Sequence, residues 1–178
     1  MSSLRAGAAG GLCGPSSTCV SRVGGNTSTR GEWLLCTLRV EGMRLIAMRG
    51  SELVYRNDQR GIRPLLEMLA SAPEGRLRGA SFADTVVGKA SALLLTLAGA
   101  SFVATDLLSD AAAELLVKQG VLFYARERVA QIAGRVPGRP CPFEESVALI
   151  EEPAEALKVL AAVQEKFRDQ GSQHGPQD

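Results

Sequence analysis

The chain has 178 residues, 46% of them apolar, which is enough for one domain around one core and leaves no room for a second. Twenty basic residues against nineteen acidic ones leave a formal charge of +1, so no global field draws the protein to nucleic acid or to an anionic membrane. One Trp, two Tyr and five Phe, never interleaved with basic residues, offer no platform for stacking single-stranded bases.

Residues 1–30 are rich in Gly, Ser, Thr and Ala and lack apolar periodicity, so they read as a disordered leader. They also lack the run of about seven or more apolar residues that a secretory signal requires. Cysteines at 13, 19, 36 and 141 form no compact disulfide framework, which fits a reducing cytoplasm. The folded domain is expected over 32–168. A polar tail, 169–178, follows and carries His174, the single histidine.

Within the domain, Trp33, Leu34, Cys36, Leu38 and Val40 line one face of a helix that stops at Gly42. Met43–Met48 and Glu52–Tyr55, joined through Arg49, Gly50 and Ser51, read as an antiparallel hairpin. A helix from Ile62 to Ala70 places Pro64 in its first turn, where a missing amide proton costs nothing. Then strand and helix alternate: strand Ala80–Ala83, helix Thr85–Ala98, strand Phe102–Asp106, helix Asp110–Gln119, strand Val121–Ala125. Such alternation implies parallel strands with crossover helices. Lys89, two glycines and two serines interrupt the apolar stretch from Val86 to Ala104, so it reads as buried helix, turn and strand and not as a membrane span. A Gly- and Pro-bearing loop, Gly134–Pro140, leads to a helix over Pro142–Ile150 and a last amphipathic helix from Pro153 through Phe167.

Three segments carry a resemblance: Arg60-Gly61-Ile62-Arg63-Pro64-Leu65-Leu66, Ala83-Asp84-Thr85-Val86-Val87-Gly88-Lys89-Ala90, and Cys141-Pro142-Phe143-Glu144. Over roughly residues 32–150 the chain resembles a prokaryotic domain-of-unknown-function family, number eighteen-ninety-three. The resemblance implies a cytidine-deaminase-like fold: three layers, α/β/α, with a mixed sheet of about five strands and a leading β-hairpin. Where that family's central motif often has a second basic residue after the aspartate, this chain has Thr85. Zinc deaminases hold their metal with His-x-Glu and Pro-Cys-x-x-Cys motifs at two facing helix openings, and neither motif is present. Only Cys36 and Cys141 are soft ligands within the domain, so neither a metal nor cytidine deamination is expected.

The candidate site residues gather at the same two helix openings. Asp84 reads first as an N-cap, and Lys89, on an apolar helix near its positive end, wants an anionic partner, either Asp84 or a ligand. Arg60 and Arg63 bracket Gly61 ahead of a helix, where guanidinium forks and free amides can cradle a phosphate or carboxylate. Gly88 completes this ligand-binding set of Arg60, Gly61, Arg63, Asp84, Gly88 and Lys89. The Gly88-Lys89 pair is not a P-loop, which needs Gly in place of Ala83 and Ser or Thr in place of Ala90, and no other cofactor is indicated. Cys141, between two prolines, sits at a helix N-cap that favours thiolate. Asp84, Lys89 and Cys141 are thus the candidates for chemistry. The leading expectation is a domain that binds an anionic, nucleotide-like small molecule at two facing helix openings. The alternatives are thiol-based sulfur transfer or redox chemistry at Cys141, by analogy with formate dehydrogenase accessory proteins of this fold class, and a non-catalytic module that forms a homodimer through its first and last helices.

Overall fold

The computed structural model describes residues 27–172 except 135, 137 and 138, so most of the expected leader, His174, Cys13 and Cys19 lie outside the described residues. Along the chain run α1 (Thr27–Val40), β1 (Leu45–Arg49), β2 (Glu52–Asn57), α2 (Arg63–Ser71) and β3 (Ser81–Val87). They are followed by α3 (Lys89–Leu97), β4 (Phe102–Ser109), α4 (Asp110–Lys118), β5 (Leu122–Val129), α5 (Pro142–Ser146) and α6 (Pro153–Ser172). Every expected element is present. The first helix begins at Thr27, upstream of both the expected helix and the expected domain boundary, and the last runs to Ser172.

The five strands form one mixed sheet in the order β2-β1-β3-β4-β5. β1 is antiparallel to both β2 and β3, whereas β3, β4 and β5 are parallel. Since β3 to β4 and β4 to β5 step the same way across the sheet, right-handed crossovers place α3 and α4 on the same face. Alternation along β1 shows the division: Leu45 and Ala47 join the core beneath α2, α3, α4 and α6, while Ile46 and Met48 join the core beneath α1. The result is a three-layer α/β/α fold. α3 is the innermost helix, with Ala90, Ala92, Leu93, Leu94 and Leu95 all buried, which explains its nearly continuous apolar sequence.

On the opposite face α1 stands alone and lies close to the sheet. Gly31 has no side chain because Tyr124 occupies its place: a Cβ there would lie 2.2 Å from the ring. Arg30 rests its guanidinium 4.6 Å from the centre of the Phe102 ring, and Leu34, Leu35 and Leu38 fill the space down to Ile46, Ala83 and Ala104. Over the middle of β5, Glu32 pairs with Arg126 and accepts a hydrogen bond from Tyr124. Asp106 binds Arg39 at 2.6 Å and Arg126 at 3.3 Å, so the cluster joins α1, β4 and β5. The Arg126 guanidinium, helped by the Tyr124 hydroxyl, holds the Glu32 carboxyl down at about 2.

The largest departure from the sequence reading lies between Asp84 and Lys89. A helix was expected from Thr85, with Asp84 as its N-cap, but β3 continues to Val87 and α3 opens only at Lys89. Thr85, Val86 and Val87 are β-branched and favour extended backbone, and the parallel ladder Val86↔Leu107 and Val87↔Leu108 secures them. Asp84 is therefore a mid-strand residue. β4 and β5 likewise run past their expected ends, and α4 is capped by Ser109, whose hydroxyl accepts from the Ala112 amide at 3.2 Å. α5 is shorter than expected, ending at Ser146. Among the described residues no helix is long and apolar enough to cross a membrane.

Candidate functional site

A cavity of about 370 Å³ opens where α2 and α3 begin, over the carboxyl half of β3. Its polar wall is made by Arg44, Gln59, Arg60, Asp84, Thr85, Ser91, Cys141 and Glu144, and its apolar wall includes Leu45, Ile62, Ile132 and Phe143. Gly61, at φ 84°, turns the chain into α2 at the rim. Four elements thus meet there: the start of β1, the approach to α2, the β3–α3 junction, and α5.

Asp84 projects from β3 on the face opposite α1. Its Oδ1 accepts a hydrogen bond from the Val86 amide at 3.3 Å, and Thr85 donates through both its amide and its hydroxyl. Although part of the residue faces the cavity, the carboxyl is enclosed by protein, and this desolvation outweighs the hydrogen bonds and the nearby Arg44 charge. Its pKa is pushed up to about 7. Arg44 is half-buried, and among the described residues neither it nor Arg60 makes a salt bridge or a side-chain hydrogen bond.

The opening of α3 is occupied from within. Glu144, on α5, directs one carboxylate oxygen to the Lys89 amide at 2.8 Å and the other to the Ala90 amide at 3.0 Å. These are two of the free donors that every helix start presents, here capped by a side chain 55 residues away. Gly88 makes room, since a Cβ at that position would lie 2.4 Å from Glu144 Oε1. Burial raises the Glu144 pKa, while the two amides and the Lys89 charge oppose the rise. The Lys89 ammonium turns away from Asp84 and donates to the Ala148 carbonyl at 2.6 Å.

Of the residues singled out in the sequence, Arg60, Gly61, Asp84, Gly88 and Cys141 border this one cavity. Lys89 borders a second cavity, about 600 Å³, between α4, α5 and the loop after β5. Arg63 points outward and pairs with Glu67 one turn along α2 at 2.6 Å. Cys141 is half-buried at the N-cap of α5, and its side chain accepts no capping hydrogen bond. Two residues that shape the cavity were not among the candidate site residues of the sequence. Arg44 lies between Met43 and Leu45, just before β1, and nothing in that pattern marks it. Glu144 stands in the first turn of α5, where an acidic residue is sufficiently explained by its own helix dipole. Among the described residues, no three His, Cys, Asp or Glu side chains converge closely enough to hold a metal ion.

The family model for a domain of unknown function, DUF1893, matches residues 35–166, and the chain belongs to this family. The fold is similar to that of a crystal structure of a DUF1893 family protein from Thermotoga maritima, with a TM-score of 0.66 and 20% sequence identity. That match covers 79% of this chain and 96% of the other. No curated protein matches the chain.

Proposed function

We propose that the cavity at the opening of α2 binds a small anionic molecule, with Arg44 and Arg60 receiving its charged group and Asp84 presenting a proton-carrying carboxyl to it. The observation that carries this reading is Arg44, a half-buried residue at the cavity that makes no salt bridge among the described residues. Drawing such a group partly out of water without a hydrogen-bonded partner costs free energy, and a carboxylate or phosphate would recover it through forked hydrogen bonds. Glu144 already serves the first turn of α3, so the reading places the ligand's charge at α2. There Ile62 leaves the helix without a side-chain cap.

The strand order, with antiparallel β1 ahead of parallel β3, β4 and β5, fits a cytidine-deaminase-like scaffold. The cavity lies at the two helix openings where a zinc deaminase would hold its metal, but the residues around it do not fit a zinc centre. Its volume is at the low end for small-molecule sites, and Ile62 and Phe143 supply apolar wall for a ring of nucleobase size. A carboxyl titrating near neutrality is suited to moving a proton to or from a bound molecule.

A thermal-shift series with inorganic phosphate and a panel of nucleoside monophosphates, run on the wild type and on Arg44→Met, tests the reading. At least one probe is expected to raise the wild-type midpoint in a concentration-dependent way, and Arg44→Met to abolish the rise. Equal shifts in both proteins, or no shift with any probe, would overturn it.

A further inference from the structure

We propose that α5, together with the turn that follows it to Ile150, is a hinged partition between the two cavities, fastened to the first turn of α3 by Glu144 and released as one unit. Glu144 borders both cavities, so its carboxylate is part of the wall dividing them. The fastening is concentrated at one point of α3. Lys89 offers its amide to Glu144 and its ammonium to the Ala148 carbonyl, and the Ala90 amide takes the other carboxylate oxygen.

Elsewhere the segment is held by Val147, which lies in the core, and by Phe143 and Ile150, which pack partly against it. No residue of α5 is buried, and of the turn beyond it only Val147 is. Phe143 adds a tilted ring contact with Phe167 of α6, with centroids 5.6 Å apart. The backbone of the segment satisfies itself: the Glu145 amide bonds Cys141, Val147 bonds Glu144, Ala148 bonds Glu145, and Ile150 bonds Val147. It can therefore swing away without orphaning any of these four amides. The backbone donors left behind are those of Lys89 and Ala90, at a helix start that water can reach once the wall has moved. Release would join spaces of about 370 and 600 Å³ into one chamber with a free helix N-terminus in its wall. The partition's motion stands whether or not the smaller cavity binds an anion.

Native-state hydrogen exchange on the full chain tests it. The amides of Lys89 and Ala90, whose acceptor leaves with the segment, are expected to share one opening, about tenfold or more easier than that of Leu93, Leu94 and Leu95, and insensitive to low denaturant. Exchange of these two amides only through global unfolding would overturn the proposal. So would exchange of the α5 amides while Lys89 and Ala90 stay protected. Glu144→Gln keeps the shape and removes the charge, and is expected to raise the shared opening about tenfold while leaving Leu93–Leu95 unchanged. An unaltered opening would remove Glu144 as the fastener, and should the variant fail to fold, the wild-type exchange pattern alone decides.

Discussion

At Asp84, burial of the carboxyl outweighs the hydrogen bonds from Val86 and Thr85 and the pull of Arg44, so the folded chain keeps a proton there up to about pH 7. The folded pKa lies above the ordinary value of 3.8, and the folded state therefore binds the proton more tightly than the unfolded state. Stability falls as pH rises between those two values, and the full cost of the charge is present above them. Asp84→Asn keeps an acceptor for the two amides and carries no charge. It should be more stable than the wild type by roughly 2–4 kcal/mol at pH 8 and nearly equal to it at pH 4, measured by urea denaturation. Equal stability at both values would mean that the carboxyl is better hydrated than its surroundings imply. Gly88 and Glu144 form a coupled pair of another kind. A methyl at 88 would meet the flexible end of Glu144, which can move aside, so Gly88→Ala should uncap α3 at a cost of about 1 kcal/mol. Glu144→Ala loses the same cap, and the double variant should therefore cost scarcely more than either single one. Additive losses in the double-mutant cycle would show that the two residues act separately.

Among the elements, α1 tests how close packing competes with helix propensity. Ala is favoured over Gly within a helix by about 1 kcal/mol. A Cβ on residue 31, however, would come within 2.4 Å of the Cβ, Cγ and Cδ1 of Tyr124, the root of a rigid ring that cannot swing aside. Overpacking should win, and Gly31→Ala should lower stability by roughly 1–3 kcal/mol in chemical denaturation. A stabilised variant would mean that α1 can lift off the sheet without loss. The leucines of α1 and the hairpin after it were legible from periodicity and turn chemistry, because those signals are local. The start of α1 at Thr27 was not, since Thr, Ser and Gly are weak helix formers and only the sheet beneath recruits them. The end of β3 was misread for a related reason. An apolar run that passes from strand to helix without a polar break has no period to mark the change, and the β-branched triplet from Thr85 to Val87 was the available clue.

For the molecule as a whole, alternation of strand and helix was sufficient to foresee parallel neighbours and layered helices, since handedness and short connections leave few other topologies. The site was only partly legible. Arg60, Gly61, Asp84, Gly88 and Cys141 announce themselves by residue type at element junctions, whereas the Glu144 cap and the turn of Lys89 toward Ala148 are encounters across 55 and 59 residues that no local pattern encodes. The lone position of α1 has a consequence for synthesis. The helix lies against Phe102, Ala104 and Tyr124, and its Glu32 meets Tyr124 across 92 residues of chain. A ribosome adding about 5–20 residues per second therefore exposes Leu34, Leu35 and Leu38 for roughly 5–20 s before the strands that cover them exist. Nascent chains stalled before β4 should leave α1 open to protease, while chains stalled far enough past β5 for it to clear the exit tunnel should protect it. During that interval the apolar stripe of α1 is open to chaperones and to other nascent chains, and the layer that looks most self-contained is the last to find shelter.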